Sequence, residues 1–287
     1  MTKKAIVFPL ILATVAALGV TGLAKDVVVE SQWLAAPLRI DGLDQDWQDA
    51  TFLTDEGSKA QYAVKNDGKN LYLLFVFNDV LSLTTLEYTG IKVFFSTEGK
   101  KSKDLGILFT RKAMPTETII AELEKRGQAL TEEQKAELRK QPNQIVFVEE
   151  SIDKKKAPSP SDPAVKTDAP AYRAASKPAG RQRVMYCELR IPLSRVNEPR
   201  GIGTEPGKSV KLGFEWGGVT NEIMKIIMAD RAAGGATARQ GASGMSSSAA
   251  AGEGGEGEGG GGDFAAFNRD PRFKKHSFWI DLKLAAQ

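Results

Sequence analysis

Four aspartates stand close together near the start of the chain, in the stretch RIDGLDQDWQDA from Arg39 to Ala50. Carboxylates grouped in this way serve two kinds of chemistry, the binding of a hard cation and acid–base catalysis. A helix-loop-helix calcium loop places oxygen ligands at alternate positions and then a glycine. Here Gly42 comes early, and the acids are irregularly spaced, at Asp41, Asp44, Asp46 and Asp49. The metal signal is therefore weak, and calcium near these acids is kept as an alternative.

The same acids have a structural interpretation, in which they open the fold around a buried tryptophan. Asp44 is of a residue type that caps helices, so it can begin a short helix. Asp46 would favour the positive N-terminal end of that helix, and Trp47 and Ala50 would turn inward. We therefore expect the Asp-rich stretch to seat Trp47 inside the protein.

Residues for the commoner enzyme mechanisms are scarce in this sequence. The sole histidine, His276, has no second histidine with which to form a metal pair. The sole cysteine, Cys187, falls in phase with Met185 and Leu189, which predicts a packed core thiol. No spacing singles out a pair of carboxylates for hydrolysis. We predict that the protein is not an enzyme.

Several runs have the period of two that is typical of strands, and they predict the elements that would position these side chains. The run from Leu71 to Phe77 is apolar on both faces, which indicates a central strand that is covered on both sides. Asn66-Asp67-Gly68 before it predicts a hairpin turn, because these residue types tolerate positive φ. Further alternating runs are Ile91 to Phe95, Val184 to Ile191, Lys211 to Trp216 and Ser277 to Leu284. The fold class predicted is all-β, an antiparallel β-sandwich of the jelly-roll or immunoglobulin-like kind.

Three insertions are predicted within the sandwich. Residues 116–141 have helical spacing, with Gly127 as a left-handed cap and a capping box that begins at Thr131, and they predict a charged helical hairpin. Residues 154–183 are rich in Pro, Lys, Ala and Ser and predict a flexible loop. Residues 231–263 contain GEGGEGEGGGGD and almost no large apolar side chain, so they predict a disordered glycine-rich loop. A phosphate-binding loop is disfavoured, because its Lys-Ser/Thr ending is absent. Because strand-like runs resume after each insertion, residues 25–287 are interpreted as one domain.

The first residues predict export. Lys3 and Lys4 precede an apolar run, and Gly22-Leu23-Ala24 offers small residues to a signal peptidase, so residues 1–24 are interpreted as a signal peptide. The expected location is periplasmic or secreted, with no stable membrane insertion after cleavage. In the whole chain, 39 basic side chains nearly balance 36 acidic ones. We expect no nucleic-acid partner, because counterion release needs a concentrated basic face.

Five short motifs in order resemble the family-nine carbohydrate-binding modules and the wider DOMON-like β-sandwich superfamily. The motifs are RIDGLDQDW, YAVKNDGKNLYLLFVFND, IKVFFS, VMYCELRIPLSRV and FNRDPRFKKHSFWIDLKL. The resemblance covers most of residues 27–284 and leaves out the helical hairpin and the glycine-rich loop. It implies a sandwich without chemistry of its own that binds sugars between aromatic walls. The chain departs from the family where tryptophans are usual, and it offers Tyr88 and Phe267 there.

The resemblance thus implies a ligand-binding site formed by Tyr88 and Phe267, with Glu87, Asn268 and Arg269 as polar neighbours. A sugar ring stacks on an aromatic face while surrounding polar groups bind its hydroxyls. The expected partner is a carbohydrate or glycan at the cell envelope, with no resident cofactor.

Two alternatives remain from the same sequence. The protein is an envelope scaffold whose helical hairpin docks a partner protein, or it is a haem-binding member of the superfamily. The resemblance implies Met with His or Lys as axial ligands of haem, and the candidates are Met185, Met224, Met228 and the sole histidine, His276.

Overall fold

The computed structural model describes residues 27–78, 80–125, 127–154, 169–180, 182–196, 198–218, 220, 223 and 274–287. The predicted signal peptide and the predicted glycine-rich loop lie outside these residues. Among the helices in the described ranges, none combines the length and the hydropathy that a membrane crossing requires.

The described strands form two sheets of six strands each. Sheet A contains, in spatial order, β1 (Val27–Glu30), β12 (His276–Lys283), β11 (Ser209–Trp216), β6 (Ile91–Ser96), β7 (Leu105–Pro115) and β8 (Asn143–Asp153). Sheet B contains β2 (Gln32–Trp33), β4 (Gln61–Asn66), β5 (Asn70–Phe77), β10 (Gln182–Pro192) and β9 (Ala171–Ala179), with β3 (Leu53–Thr54) also paired to β4. The pairs β1–β12 and β2–β4 are parallel, and the other described pairs are antiparallel. The predicted β-sandwich is confirmed.

Strand β5 lies at the centre of sheet B and is buried along its whole length. Leu71, Leu73 and Phe75 face the main core between the sheets, where they meet residues of β6, β11 and β12. Tyr72 and Leu74 face the other way, into a second core that contains Trp47. The prediction of a strand covered on both sides is confirmed, and the cover on the outer side is the Asp-rich stretch.

The hairpin between β4 and β5 forms where it is predicted, but by a different means. The residues 66–68 are not among those with positive φ. The turn is stabilised instead by the Asp67 carboxylate, which accepts hydrogen bonds from the backbone N–H of Lys69 and Asn70 at 2.7 and 2.6 Å. Its second oxygen accepts from the Tyr72 hydroxyl at 2.7 Å. An aspartate that caps its own turn replaces the backbone geometry that the prediction assumed.

The predicted helical hairpin is confirmed as α2 (Thr116–Lys125) and α3 (Glu132–Arg139), inserted between β7 and β8. Gly127 has φ of +79° and ends the first helix, and Gln128 N–H donates to the Leu123 carbonyl at 3.0 Å. Thr131 and Gln134 form the predicted capping box. Helix α2 buries Thr116 and Ile120, whereas α3 buries no residue.

Two elements differ from the predictions. A helix, α1 (Val80–Thr89), joins β5 to β6, although its sequence VLSLTTLEYT has no helical spacing of apolar residues. Strand β9 occupies part of the segment 154–183 that is predicted to be a flexible loop. The prediction is wrong for Ala171–Ala179, because these residues pair along β10 and Tyr172 packs in the main core against Phe109 and Phe147.

Candidate functional site

Helix α1 places Glu87 and Tyr88 at one end of the sandwich. Leu86 in the same turn is 3% exposed and anchors the helix in the main core. Gly90 ends the helix with φ of +64°, and its N–H donates to the Leu86 carbonyl at 2.9 Å. A Cβ atom at this glycine would lie 2.3 Å from the Phe109 carbonyl oxygen, so a side chain has no room there. The two predicted site residues are thus fixed at a tightly held helix end, and both are half-buried.

Glu87 forms an ion pair with Arg111 on β7, at 2.5 Å between Oε1 and Nη2. The two side chains are 32% and 29% exposed, so the pair reaches solvent at the sandwich end. A carboxylate accepts and a guanidinium donates, and the pair therefore offers both kinds of hydrogen-bonding group to a polyhydroxyl ligand. Sequence reasoning found Glu87 but missed Arg111, which lies in β7, a strand that the alternation of the sequence did not single out.

The chain leaves β11 and returns to β12 beside this helix. Gly217 N–H donates to the Thr89 hydroxyl at 3.0 Å, and a Cβ atom at Gly217 would lie 2.2 Å from the Lys274 carbonyl oxygen. Gly217 and Lys274 therefore lie next to the end of α1, and Phe267, Asn268 and Arg269 stand between them in the sequence. These three residues lie outside the described residues. Phe267 precedes Lys274 by seven positions, which an extended chain spans in about 24 Å.

Buried aromatic side chains lie beneath the same end of the sandwich. The Trp216 ring is 2% exposed and stacks on His276 at 5.5 Å between centroids, with an angle of 19° between the planes. Its Nε1–H has no acceptor among the described residues. Met185, on β10, is also buried in the main core. Of the four residues that the haem alternative invokes, Met224 and Met228 lie outside the described residues.

Cys187 is fully buried beside Tyr172, with 3.8 Å between the thiol sulfur and the phenolic oxygen. Burial raises the pKa of the thiol to about 12, which keeps the sulfur protonated at neutral pH. The prediction of a packed core thiol is confirmed.

The Asp-rich stretch seats Trp47, as predicted, through one acid of β10. Glu188 is fully buried, and its Oε2 accepts the backbone N–H of Asp41 and Gly42 at 2.9 Å each. Its Oε1 accepts the indole N–H of Trp47 at 3.0 Å. Trp47 itself is 0% exposed and lies in a short 3-10 helix, Gln45–Trp47. Sequence reasoning did not foresee that Glu188 would be the acceptor for this segment.

Three of the four aspartates of this stretch have different hydrogen-bonding partners. The Asp44 side chain makes no cap hydrogen bond and pairs with Lys177 on β9, so the predicted side-chain cap is wrong. Lys177 lies 133 positions from Asp44 in the chain, so the sequence around Asp44 does not predict this ion pair. Asp49 pairs with Lys65 at 2.5 Å, and Asp41 accepts from the Leu43 N–H at 2.9 Å. Within the described ranges, no group of three or more His, Cys, Asp or Glu side chains is arranged to hold a metal ion.

A groove of about 730 Å³ lies at the opposite end of the sandwich, lined in part by Ser194, Thr204 and Ser209. Its Arg195 guanidinium donates to the Pro199 carbonyl at 3.1 Å, and its Lys208 lies 3.8 Å from Glu205. The charged groups of this groove are thus directed to their own neighbours, and none of the described residues that line it has an aromatic side chain on which a sugar ring could stack.

No family model and no curated protein matches the chain. Among solved structures, it is similar to a family 9 carbohydrate-binding module from Caldicellulosiruptor kristjanssonii, solved with glucose and with cellotriose. These two comparisons have TM-scores of 0.31, identities of 12% and 13%, and coverage of 68% and 69% of this chain and 80% of the other. A candidate carbohydrate-binding protein from Bacteroides uniformis gives a TM-score of 0.35 and 11% identity, covering 68% of this chain and 85% of the other.

Proposed function

We propose that this protein is an exported, non-catalytic binding module for carbohydrate, and that the ligand binds at the α1 end of the sandwich. The observation that carries the proposal is the position of Glu87 and Tyr88 at the end of α1, beside the root of the segment that contains Phe267. The proposed site takes its second aromatic residue, Phe267, from the stretch of chain between Gly217 and Lys274.

The chemistry at this end suits a sugar. Tyr88 offers part of a phenol ring, on which the apolar face of a pyranose can stack. The Glu87–Arg111 pair lies beside it and supplies an acceptor and a donor for hydroxyl groups. The two charges of this pair balance each other, so the pair itself does not require an ionic ligand.

Export and the absence of catalysis belong to the same proposal. Export is supported by the sequence of residues 1–24, with its two lysines, apolar run and small residues before Lys25. A non-catalytic role is supported by the state of Cys187, whose buried thiol stays protonated at neutral pH.

Isothermal titration with glucose and cellotriose tests the proposal. We expect binding of at least one of these sugars and a loss of about tenfold or more in affinity on Tyr88→Ala, because stacking on one ring contributes about 1 to 2 kcal/mol. Phe267→Ala should weaken the same ligand. Ile145→Ala, which truncates a 46% exposed side chain on β8, is the control and should leave affinity unchanged.

The conservative variant Tyr88→Phe separates a binding role from a structural one. It keeps the ring and should retain most of the affinity, while the melting temperatures of all variants show whether the fold is intact. Affinity for both sugars that is unchanged in folded Tyr88→Ala would contradict the proposal.

The rival function is a scaffold that docks a partner through the helical hairpin. One observation favours it: α3 buries none of its side chains against the sandwich and is free to contact another protein. Replacing residues 116–142 by Asn-Gly would leave Pro115 and Asn143, already paired across β7 and β8, joined by a two-residue turn. Loss of a co-purifying envelope protein from this variant, with sugar binding intact, would support the rival.

A further inference from the structure

A row of aromatic rings and glycines crosses the outer face of sheet A. The paired positions are Trp279 with Gly213, Gly213 with Phe94, and Phe94 with Gly106. A Cβ atom at Gly213 would lie 2.6 Å from the Trp279 indole, so the ring rests on the bare backbone of that glycine. Trp279 is half-buried. The indole therefore lies against the sheet with part of its surface open to a ligand.

Three lysines surround one acid in the neighbouring row of the same face. The ammonium groups of Lys103, Lys275 and Lys92 lie 2.5, 2.9 and 3.6 Å from oxygens of Glu215. The Glu215 side chain is only 8% exposed, whereas those of the lysines are 40%, 54% and 41% exposed. Each amine thus has solvent-facing hydrogens beyond its contact with the acid.

The acid is ionised, so the cluster has a positive surplus. Burial alone would raise the pKa of Glu215, but the hydrogen bonds from Lys103 and Lys275 outweigh burial and lower it. Three ammonium groups around one carboxylate leave two unbalanced charges. The neighbouring pairs Lys211–Asp281 and Lys283–Glu30 are balanced, which concentrates the surplus at this one point of the face.

The charge cluster and the indole are within reach of one ligand. Glu215 and Gly213 are two residues apart on β11 and project to the same face, which separates their rows by about 7 Å. The loop before β7 brings Lys103 back across this face, where its amine lies 5.6 Å from the centre of the Phe94 ring. Lys103 thus joins the charge cluster to the row that contains Phe94 and Trp279.

We propose that this outer face of sheet A, with Trp279 as a stacking surface and Lys92, Lys103 and Lys275 as cations, binds a polysaccharide that carries carboxylate groups. The apolar face of a sugar ring stacks on the indole, and a carboxylate on the same or the next ring meets the ammonium groups. This surface uses none of the residues proposed at the α1 end, although it begins beside that end, where Lys92 follows Gly90 by two positions.

Charge complementarity decides the class of ligand. A surplus of two charges matches a sparse, regular anion such as a uronate chain. Nucleic acid would need a longer basic face, and the chain as a whole nearly balances 39 basic with 36 acidic side chains. The indole beside the cluster adds a surface for sugar rings that charge attraction alone does not require.

Polygalacturonate and its fully methyl-esterified form are the matched probes, with affinity measured by titration at low and high NaCl. We expect binding of the acidic polymer, with about tenfold loss between 50 and 500 mM NaCl because salt screens the exposed amines. The neutral ester should bind at least tenfold more weakly. Trp279→Ala should weaken polygalacturonate about tenfold, and Lys275→Gln about threefold.

The variant Glu215→Gln gives the sharpest test, because it removes an acid and leaves the lysines. It raises the surplus charge, and we expect polygalacturonate to bind about threefold more tightly. Lys112→Gln, which removes a 53% exposed amine paired with Glu150 on the same sheet, is the control and should change nothing. Melting temperatures identify any variant that fails to fold. The dependence on NaCl and the comparison with the methyl ester use the native chain, so they test the proposal even if a variant does not fold.

Equal binding of the two polymers, or no effect of Lys275→Gln and Trp279→Ala in folded protein, would overturn the inference. The inference would also be overturned if single-stranded DNA or anionic lipid vesicles bound more tightly than polygalacturonate and if Lys275→Gln and Trp279→Ala weakened that binding. Glucose and cellotriose binding distinguishes this surface from the α1 site, because Trp279→Ala should spare neutral sugars and Tyr88→Ala should spare polygalacturonate.

Discussion

Glu188 shows how a single side chain joins the Asp-rich stretch to sheet B. It accepts three N–H donors, two from the backbone and one from Trp47, in a site closed to water. On the other side of the indole, the buried amine of Lys65 lies 5.3 Å from the ring centre and donates to the Asp46 carbonyl at 3.0 Å. Trp47 is thus held between an acid and a base that both come from strands of sheet B.

Glu188→Gln is predicted to destabilise the fold by about 1 to 3 kcal/mol. The amide has one acceptor oxygen in place of two, so at least one buried N–H must face an NH₂ group and lose its partner. Urea denaturation measures the change in the free energy of unfolding. Glu150→Gln, in an exposed pair with Lys112, is the matched control and should cost less than about 0.5 kcal/mol. A loss at Glu188 no larger than that of the control would refute its role as the central acceptor.

At the residue scale, burial of a side chain is easier to predict from the sequence than its hydrogen-bonding or ion-pair partner. The apolar context of Cys187 and the position of Trp47 predict their burial correctly. The partners of Asp44 and Glu87 are Lys177 and Arg111, which come from distant strands, and no local pattern points to them.

At the element scale, strands whose residues alternate between apolar and polar are predictable from the sequence. Helix α1 and strand β9 are missed because contacts with other parts of the protein, and not a local pattern, determine their structure. Helix α1 contains threonines and irregularly spaced leucines, and its position follows from Leu86 in the core and from Gly90 at its end. Strand β9 is ordered because it pairs along β10 and because Tyr172, its one aromatic residue, is buried in the main core. The capping box of α3, by contrast, is wholly local and is predicted to the residue.

Replacing residues 116–142 by Asn-Gly is predicted to leave the sandwich folded, with a change of less than about 1 kcal/mol in the free energy of unfolding. The hairpin starts and ends at one place, since Thr116 N–H donates to the Pro142 carbonyl at 3.0 Å. Its ion pairs, including Arg139 with Glu117, join the two helices to each other. Only Thr116 and Ile120 are buried, so little core is lost, and the new turn suits two antiparallel strands.

The measurement is urea denaturation followed by tryptophan fluorescence, because all four tryptophans lie outside the replaced segment. The m-value should fall only slightly, in proportion to the surface of the two helices. Thr131→Ala in the native chain is the control for a local effect, since loss of the cap should loosen α3 without shifting the global transition. A variant that aggregates or unfolds at lower urea would show that the hairpin is part of the core.

At the scale of the whole molecule, the sandwich has two cores and two candidate ligand surfaces that share no residue. The main core lies between the sheets, and the second lies between sheet B and the Asp-rich stretch. The α1 end and the outer face of sheet A are each positioned by the main core. Because the two surfaces share no residue, separate variants can test the two binding proposals.

The whole fold is also predicted to lose stability steeply above pH 9, because several buried acids are neutral in the folded protein. Burial raises the pKa of Cys187 to about 12 and that of Tyr62 to about 12, and it also raises the pKa values of Tyr72 and Tyr172. In the unfolded chain these groups ionise from 9.0 for the thiol and 10.0 for the phenols. Their folded pKa values are raised, so their contribution to stability is complete below the unfolded values and is lost as the pH rises toward the folded ones.

Each such group removes about 1.4 kcal/mol of stability for each pH unit above its unfolded pKa. Chemical denaturation at pH 8, 9.5 and 10.5 measures the effect. Cys187→Ala removes one of these groups, and we expect its free energy of unfolding to fall less steeply than that of the native chain between pH 9.5 and 10.5, by about 1.4 kcal/mol. Parallel curves for the two proteins would mean that the thiol ionises in the folded state, and therefore that water reaches the space between the sheets where Cys187 and Tyr172 meet.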